Sequence, residues 1–104
     1  MSFRRYEIIL PTRYNDGRPI ADENHLWVGE QLAAHFGAFT FEPQPLRGVW
    51  MHQGLRYEEN NLRVFVDVEA TAENELFFAR FKEILKQRFD QIDLWIISYE
   101  IHIT

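Results

Sequence analysis

The chain has 104 residues and carries 11 Lys+Arg against 16 Asp+Glu, a formal charge of −5. That length fits a single domain, residues 1–104, and 46% apolar with 15% aromatic residues supplies a packed core and argues against disorder. The acidic balance counts against general phosphate-backbone binding, and the absence of cysteine excludes disulfides, thiol nucleophiles, Fe–S clusters and Cys-based zinc sites.

The first segment, Met1 to Pro11, starts basic but holds only Ile8-Ile9-Leu10 as a continuous apolar run before proline, which does not make a signal peptide. No stretch approaches the roughly 18 apolar residues of a membrane span. These features predict a soluble, cytoplasmic protein with no membrane partner.

Tyr6 to Leu10 reads as a strand stopped by Pro11. A loop from Pro11 to Ala21 follows, with Asn15-Asp16-Gly17 as its turn. Asp22 is an expected N-cap for a helix running to Phe36, and Gly37 is its stop. At 100° per residue the inward face holds His25, Leu26, Val28, Gly29, Leu32, Ala33 and Phe36, and Trp27 falls outward with Glu30, Gln31 and Ala34.

A short strand, Ala38 to Glu42, is interrupted by Pro43 and Pro45. Val49 to His52, the turn Gln53-Gly54 and Leu55 onward read as a hairpin. The clearest strand is Leu62 to Glu69, where Leu62, Val64, Val66 and Val68 alternate with Arg63, Phe65, Asp67 and Glu69. Thr71 caps a second helix, Ala72 to Phe89, with Phe77, Phe78, Phe81, Ile84, Leu85 and Phe89 in one stripe. A last strand, Leu94 to Ile103, closes the chain.

The order β-α-β-β-α-β predicts an α+β, ferredoxin-like two-layer sandwich: a four-stranded antiparallel sheet with both helices on one face. The valines of the third strand belong under the helices. The bare face is then expected to show Arg63, Phe65, Asp67 and Glu69 with Ile96, Ser98, Glu100 and His102. The first strand adds either Arg5, Glu7 and Ile9 or, in the other register, Tyr6, Ile8 and Leu10. A centre built of Phe65, Ile96 and first-strand isoleucines does not stay wet on a monomer. The expected use of this face is therefore a homodimer or higher homo-oligomer, with Phe65, Arg63, Ile96 and Ile9 at the interface. Outward carboxylates beside a single outward aromatic speak against base stacking, so no nucleic acid is expected.

Signals for chemistry are dispersed. No HxH, HxxH or HExxH pattern, P-loop, dinucleotide fingerprint or Ser/His/Asp arrangement is present, and neither a cofactor nor a bound metal is predicted. The segment Pro11-Thr12-Arg13-Tyr14 lacks the glycine-rich nest of an anion loop. Trp27, Trp50 and Tyr57, with His52, Glu58, His25 and Arg13 nearby, form the candidate small-molecule site, an aromatic pocket with a few polar groups. The same residues also suit plainer roles: His25 satisfied by a backbone carbonyl, the aromatics stabilising a hairpin or an interface, and Glu58-Glu59-Asn60-Asn61 simply solvated.

Asp16-Gly17-Arg18-Pro19-Ile20, Asp22, Trp27, Phe39-Thr40, Gly48-Val49-Trp50, Gly54 and Tyr57-Glu58 together resemble a family of small, uncharacterised bacterial ferredoxin-like proteins. The resemblance covers about residues 8 to 69, and the chain departs from it around Pro43-Gln44-Pro45. It implies the fold and directs attention to Gly17–Trp27 and Trp50–Glu58, and brings no activity with it. The reading is thus a small homo-oligomeric binding or interaction protein; the alternative is a small-molecule or metal-binding protein or enzyme with a pocket near the Trp50–Glu58 hairpin.

Overall fold

The computed structural model describes residues 1–104, the side chain of Pro43 excepted. Its elements are β1 (Phe3–Pro11), α1 (Asp22–Phe36), β2 (Thr40–His52), β3 (Leu55–Glu69), α2 (Ala72–Arg88) and β4 (Ile96–Ile101). The strands form one antiparallel sheet in the order β2-β3-β1-β4, the ferredoxin-like arrangement. The β2–β3 register shifts between Glu42 and Leu46, where Pro43 and Pro45 interrupt the run of backbone donors. Counting the two halves of β2 separately brings the sheet to five pairing segments.

The core lies between the helices and one face of the sheet. Tyr6, Ile8 and Leu10 of β1 and Val64, Val66 and Val68 of β3 are buried there with Val28 and Leu32 of α1 and Phe78, Phe81 and Leu85 of α2. Of the two registers open for the first strand, β1 therefore turns Tyr6, Ile8 and Leu10 inward and leaves Arg5, Glu7 and Ile9 on the bare face. Tyr6 stacks on Phe78 with ring centroids 3.9 Å apart.

Both helix ends follow local chemistry. Asn74 N–H donates to the Thr71 hydroxyl at 3.1 Å, the capping bond expected for α2. Gly37, with φ of 82°, ends α1 in the left-handed region that glycine adopts without a Cβ penalty. Asp22 is not the cap of α1. Ala21 holds that position without a side-chain bond, and Asp22 sits with Glu23 in the first turn, where the helix dipole favours carboxylates.

Three face assignments differ from the sequence reading. Ile96 is not on the open face: cross-strand partners share a face, Ile96 pairs with the buried Ile8, and it packs against the core. Ser98 and Glu100 follow it, and Ile97, Tyr99 and Ile101 take the open face opposite Glu7, Arg5 and Phe3. Leu26 is exposed rather than inward. Trp27 is half-buried, packed on the core and stacked near Phe81 at 6.1 Å, with the Arg88 guanidinium 4.1 Å above its ring. α2 packs close enough to cover Trp27, while Glu30 and Ala34 on the same side of α1 stay exposed as wheel geometry assigned them.

Candidate functional site

Topology brings three connections to one end of the sheet. β1 leaves at Pro11, paired with Asn61; β3 and β2 run on past that point into their turn; and α2 returns to the same end before β4. At the turn, His52 pairs with Leu55, and Gln53 and Gly54 both hold positive φ, 50° and 78°. Those are the dihedral signs of a type I′ hairpin, whose twist matches the flanking strands.

Between the hairpin, the β1–α1 loop and the α2–β4 loop lies an open cleft of about 870 Å³. Arg13, Trp50, His52, Tyr57 and Glu58, five of the residues singled out from sequence, line it. Trp50 and Tyr57 are directly cross-strand and stack at 4.4 Å, 15° from parallel, with His52 tilted 6.1 Å from Trp50. Trp50 Nε1–H donates to Glu59 at 3.0 Å. Glu58 accepts from Arg56 at 3.1 Å and from Arg47 at 3.3 Å. Arg13 donates to the Gly17 carbonyl at 2.8 Å. Arg18 is held by Asp16 at 2.6 Å, and hydrogen bonds from the Arg18 backbone and guanidinium lower the Asp16 carboxyl below its ordinary range.

Two predicted site residues stand apart. Trp27 lies over α2, in a small separate groove with His35 and Phe77. His25 is buried beneath the cleft; its Nε2 meets the Pro11 carbonyl at 2.8 Å, the plain structural role of a core-edge histidine, and its Nδ1 has no partner among the described residues. Sequence reasoning missed Arg47, Gln91 and Ile92 of the lining, and Glu59, weighed from sequence as a solvated carboxylate or a partner of His52, is there as well. Gln91 and Ile92 follow once the α2–β4 loop is assigned to the hairpin's end of the sheet. Among the described residues, no group of three His, Asp or Glu side chains converges as a metal site.

The open sheet face is the second candidate surface, and Phe65, Arg63 and Ile9 do share it. Its centre is more polar than expected. Arg5 forms a paired contact with Asp67 at 2.8 and 3.0 Å, which raises the Arg5 guanidinium above its ordinary range, and lies 4.3 Å over the Phe65 ring. Arg63 reaches Glu7 and Glu42, each at 3.2 Å. Tyr99 O–H donates to Glu7 at 2.6 Å, and that bond to a carboxylate pushes the phenol pKa up. Glu7 is thereby only 8% exposed although it sits on the uncovered side. Around this network Ile97 and Tyr99 remain 39% and 40% exposed.

No family model matches the chain, and no curated protein does. Solved structures do match. A divalent cation tolerance protein (CutA1) from Thermus thermophilus superposes with a TM-score of 0.67 at 17% identity, over 98% of this chain and 86% of that one. A phage SAM lyase in complex with S-methyl-5′-thioadenosine matches with a TM-score of 0.67 at 15% identity, over 98% of this chain and 90% of that one. The likeness is one of fold. It places the chain among small α+β, ferredoxin-like structures and fixes no residue's role. No helix is long and apolar enough to cross a membrane.

Proposed function

We propose that this is a small binding protein that works as a homo-oligomer, with the open sheet face as the interface between copies. The observation that carries this reading is the uncovered face itself. Ile9, Phe65, Ile97 and Tyr99 surround a paired charge network in which Glu7 is shared by Arg63 and Tyr99 while the buried Arg63 Nε has no partner within the chain, the make-up of an apolar contact with internal polar pairs rather than of a solvated surface. Phe65→Glu places a carboxylate beside Asp67 and should convert the assembly to monomers in native mass spectrometry, and Ile97→Lys should do the same without touching the Arg5–Asp67 pair. A wild-type chain that is monomeric across its accessible concentration range removes the proposal.

A second reading is favoured by the cleft, where Arg13, Trp50, His52, Tyr57 and Glu58 come together. An aromatic stack beside guanidinium and amide groups suits a planar, hydrogen-bonding small molecule. The S-methyl-5′-thioadenosine in one structural neighbour makes that nucleoside thioether the first probe. Saturable binding by calorimetry that is lost in Trp50→Leu, with assembly intact, supports a ligand site; no heat with the wild type speaks against this ligand class.

A further inference from the structure

We infer that the β2–β3 hairpin beyond Asn61 is an arm that lies on the open sheet face of a second copy of this chain. This rests on the homo-oligomeric reading above and goes beyond it by naming the element that makes the contact. β1 pairs with β3 only as far as Pro11 opposite Asn61, so Leu55–Asn60 have β2 as their only neighbouring strand. A two-stranded ribbon alone in water is marginally stable. This one nevertheless carries Leu46, Val49, Trp50, Met51, Leu55 and Tyr57, each between 38% and 63% exposed. Leu46 and Trp50 alternate with Val49 and Met51 along β2, so each face of the ribbon carries exposed apolar side chains: Trp50 with Leu55 and Tyr57 on one, and Val49 with Met51 beside the Arg47–Glu58–Arg56 pairs on the other.

Surface area gives the contact its scale. The chain exposes 7276 Å², whereas a compact monomer of 12.5 kDa exposes about 6,200 Å². The excess, about 1,100 Å², is of the size that one partner contributes to a standard interface, about 800 Å². The radius of gyration agrees, 14.4 Å against about 12.9 Å for a compact chain of this length.

Charge selects the partner. The arm's Arg47 and Arg56 are balanced by Glu58 and Glu59, so it offers no net field toward a polyanion or an anionic membrane. Its exposed apolar side chains need an apolar seat, and the same chain supplies one in the half-exposed Ile9, Phe65, Ile97 and Tyr99 strip. Arm on face is a contact between two different surfaces, so it either exchanges between two copies or closes a ring.

The test uses two defective full-length variants, Val49→Glu/Met51→Glu on the arm and Ile97→Lys on the face, first alone and then mixed. Each alone should weaken assembly about tenfold or more, the scale of losing a buried anchor. Mixed, the intact face of one and the intact arm of the other should restore a single contact and give a mixed dimer in native mass spectrometry. Dissociation by the face variant alone, with the arm variant still assembled, overturns the arm and leaves the face reading standing. Dissociation by both with no mixed dimer also overturns it, because an intact arm and an intact face then fail to complement one another. Dissociation by the arm variant alone overturns both the face reading and the seat inferred here. Circular dichroism on each variant confirms a folded body, and amide exchange supplies a reading free of substitution: residues 46–60 of the wild type should gain protection as concentration rises, and exchange there that ignores concentration overturns the inference.

Discussion

β3 is one strand with two lives. From Leu62 to Glu69 its side chains alternate between a buried valine row and an outer row, because β1 pairs alongside and both helices lie over one face. From Leu55 to Asn60 every residue is exposed, though the strand continues without a break. The difference comes from the neighbours. A strand's own pattern determines which residues share a face, and only the surrounding elements determine whether that face is dry. In the body a second strand and two helices flank β3; along the arm β2 is its one flanking strand and the β1–α1 loop reaches only its base, where Thr12 donates to the Asn60 carbonyl.

Truncation sharpens this contrast most. Leu32 is fully buried in α1 against the sheet, and Leu32→Ala should cost about 2–5 kcal/mol, a transfer loss plus a cavity loss. Met51 is 63% exposed on the arm, and Met51→Ala should change monomer stability by no more than about 0.5 kcal/mol. Urea unfolding of both variants, at a dilution where the chain is monomeric, checks the pair. Equal losses would mean that the arm is packed within its own chain.

The open face should respond at an intermediate level. Glu7→Gln keeps the shape of the side chain but removes the charge that Arg63 and Tyr99 share. Arg63 retains Glu42 at 3.2 Å, so the loss is one partner of a network rather than its collapse. The expected cost is about 1–3 kcal/mol, that of an imperfectly replaced charged hydrogen bond, read from the same urea midpoints. A loss below that of Met51→Ala would mean that solvent already satisfies Glu7.

The body of the fold was legible because its signals agree with one another: alternating valines in β3, Thr71 ahead of an aromatic stripe, Gly37 and Gly54 where the chain needs positive φ. β4 was half legible. Its two alternating sets were separated correctly, but the more apolar one, Trp95, Ile97, Tyr99 and Ile101, is the one left on the open face, and only the pairing of Ile96 with Ile8 decides that. Trp27 shows the corresponding limit for a helix, because the wheel gives direction relative to α1 and carries no information about α2. In the cleft, residues on one hairpin were accessible from cross-strand pairing, whereas Gln91 and Ile92 depend on which end of the sheet each connection reaches. His25 attracted attention as an ionisable group near a loop, and the Pro11 carbonyl accounts for its placement.

The smallest expected effect tests whether the open face is truly drier than the arm, and it is read from pH. The Tyr99 phenol is raised chiefly by its hydrogen bond to Glu7 and secondarily by desolvation, so the folded chain holds that proton more tightly than the unfolded chain does. Its stabilising contribution is therefore fully present below the ordinary phenol value of about 10. It declines as pH rises above that value, because the unfolded phenol ionises first, and it is gone once the folded phenol ionises. Ultraviolet difference titration against Tyr99→Phe should assign to Tyr99 a phenolate that forms late and that Glu7→Gln moves earlier. If Glu7→Gln leaves the Tyr99 titration in place, then burial rather than the carboxylate sets its behaviour, and the face is already covered in the free chain.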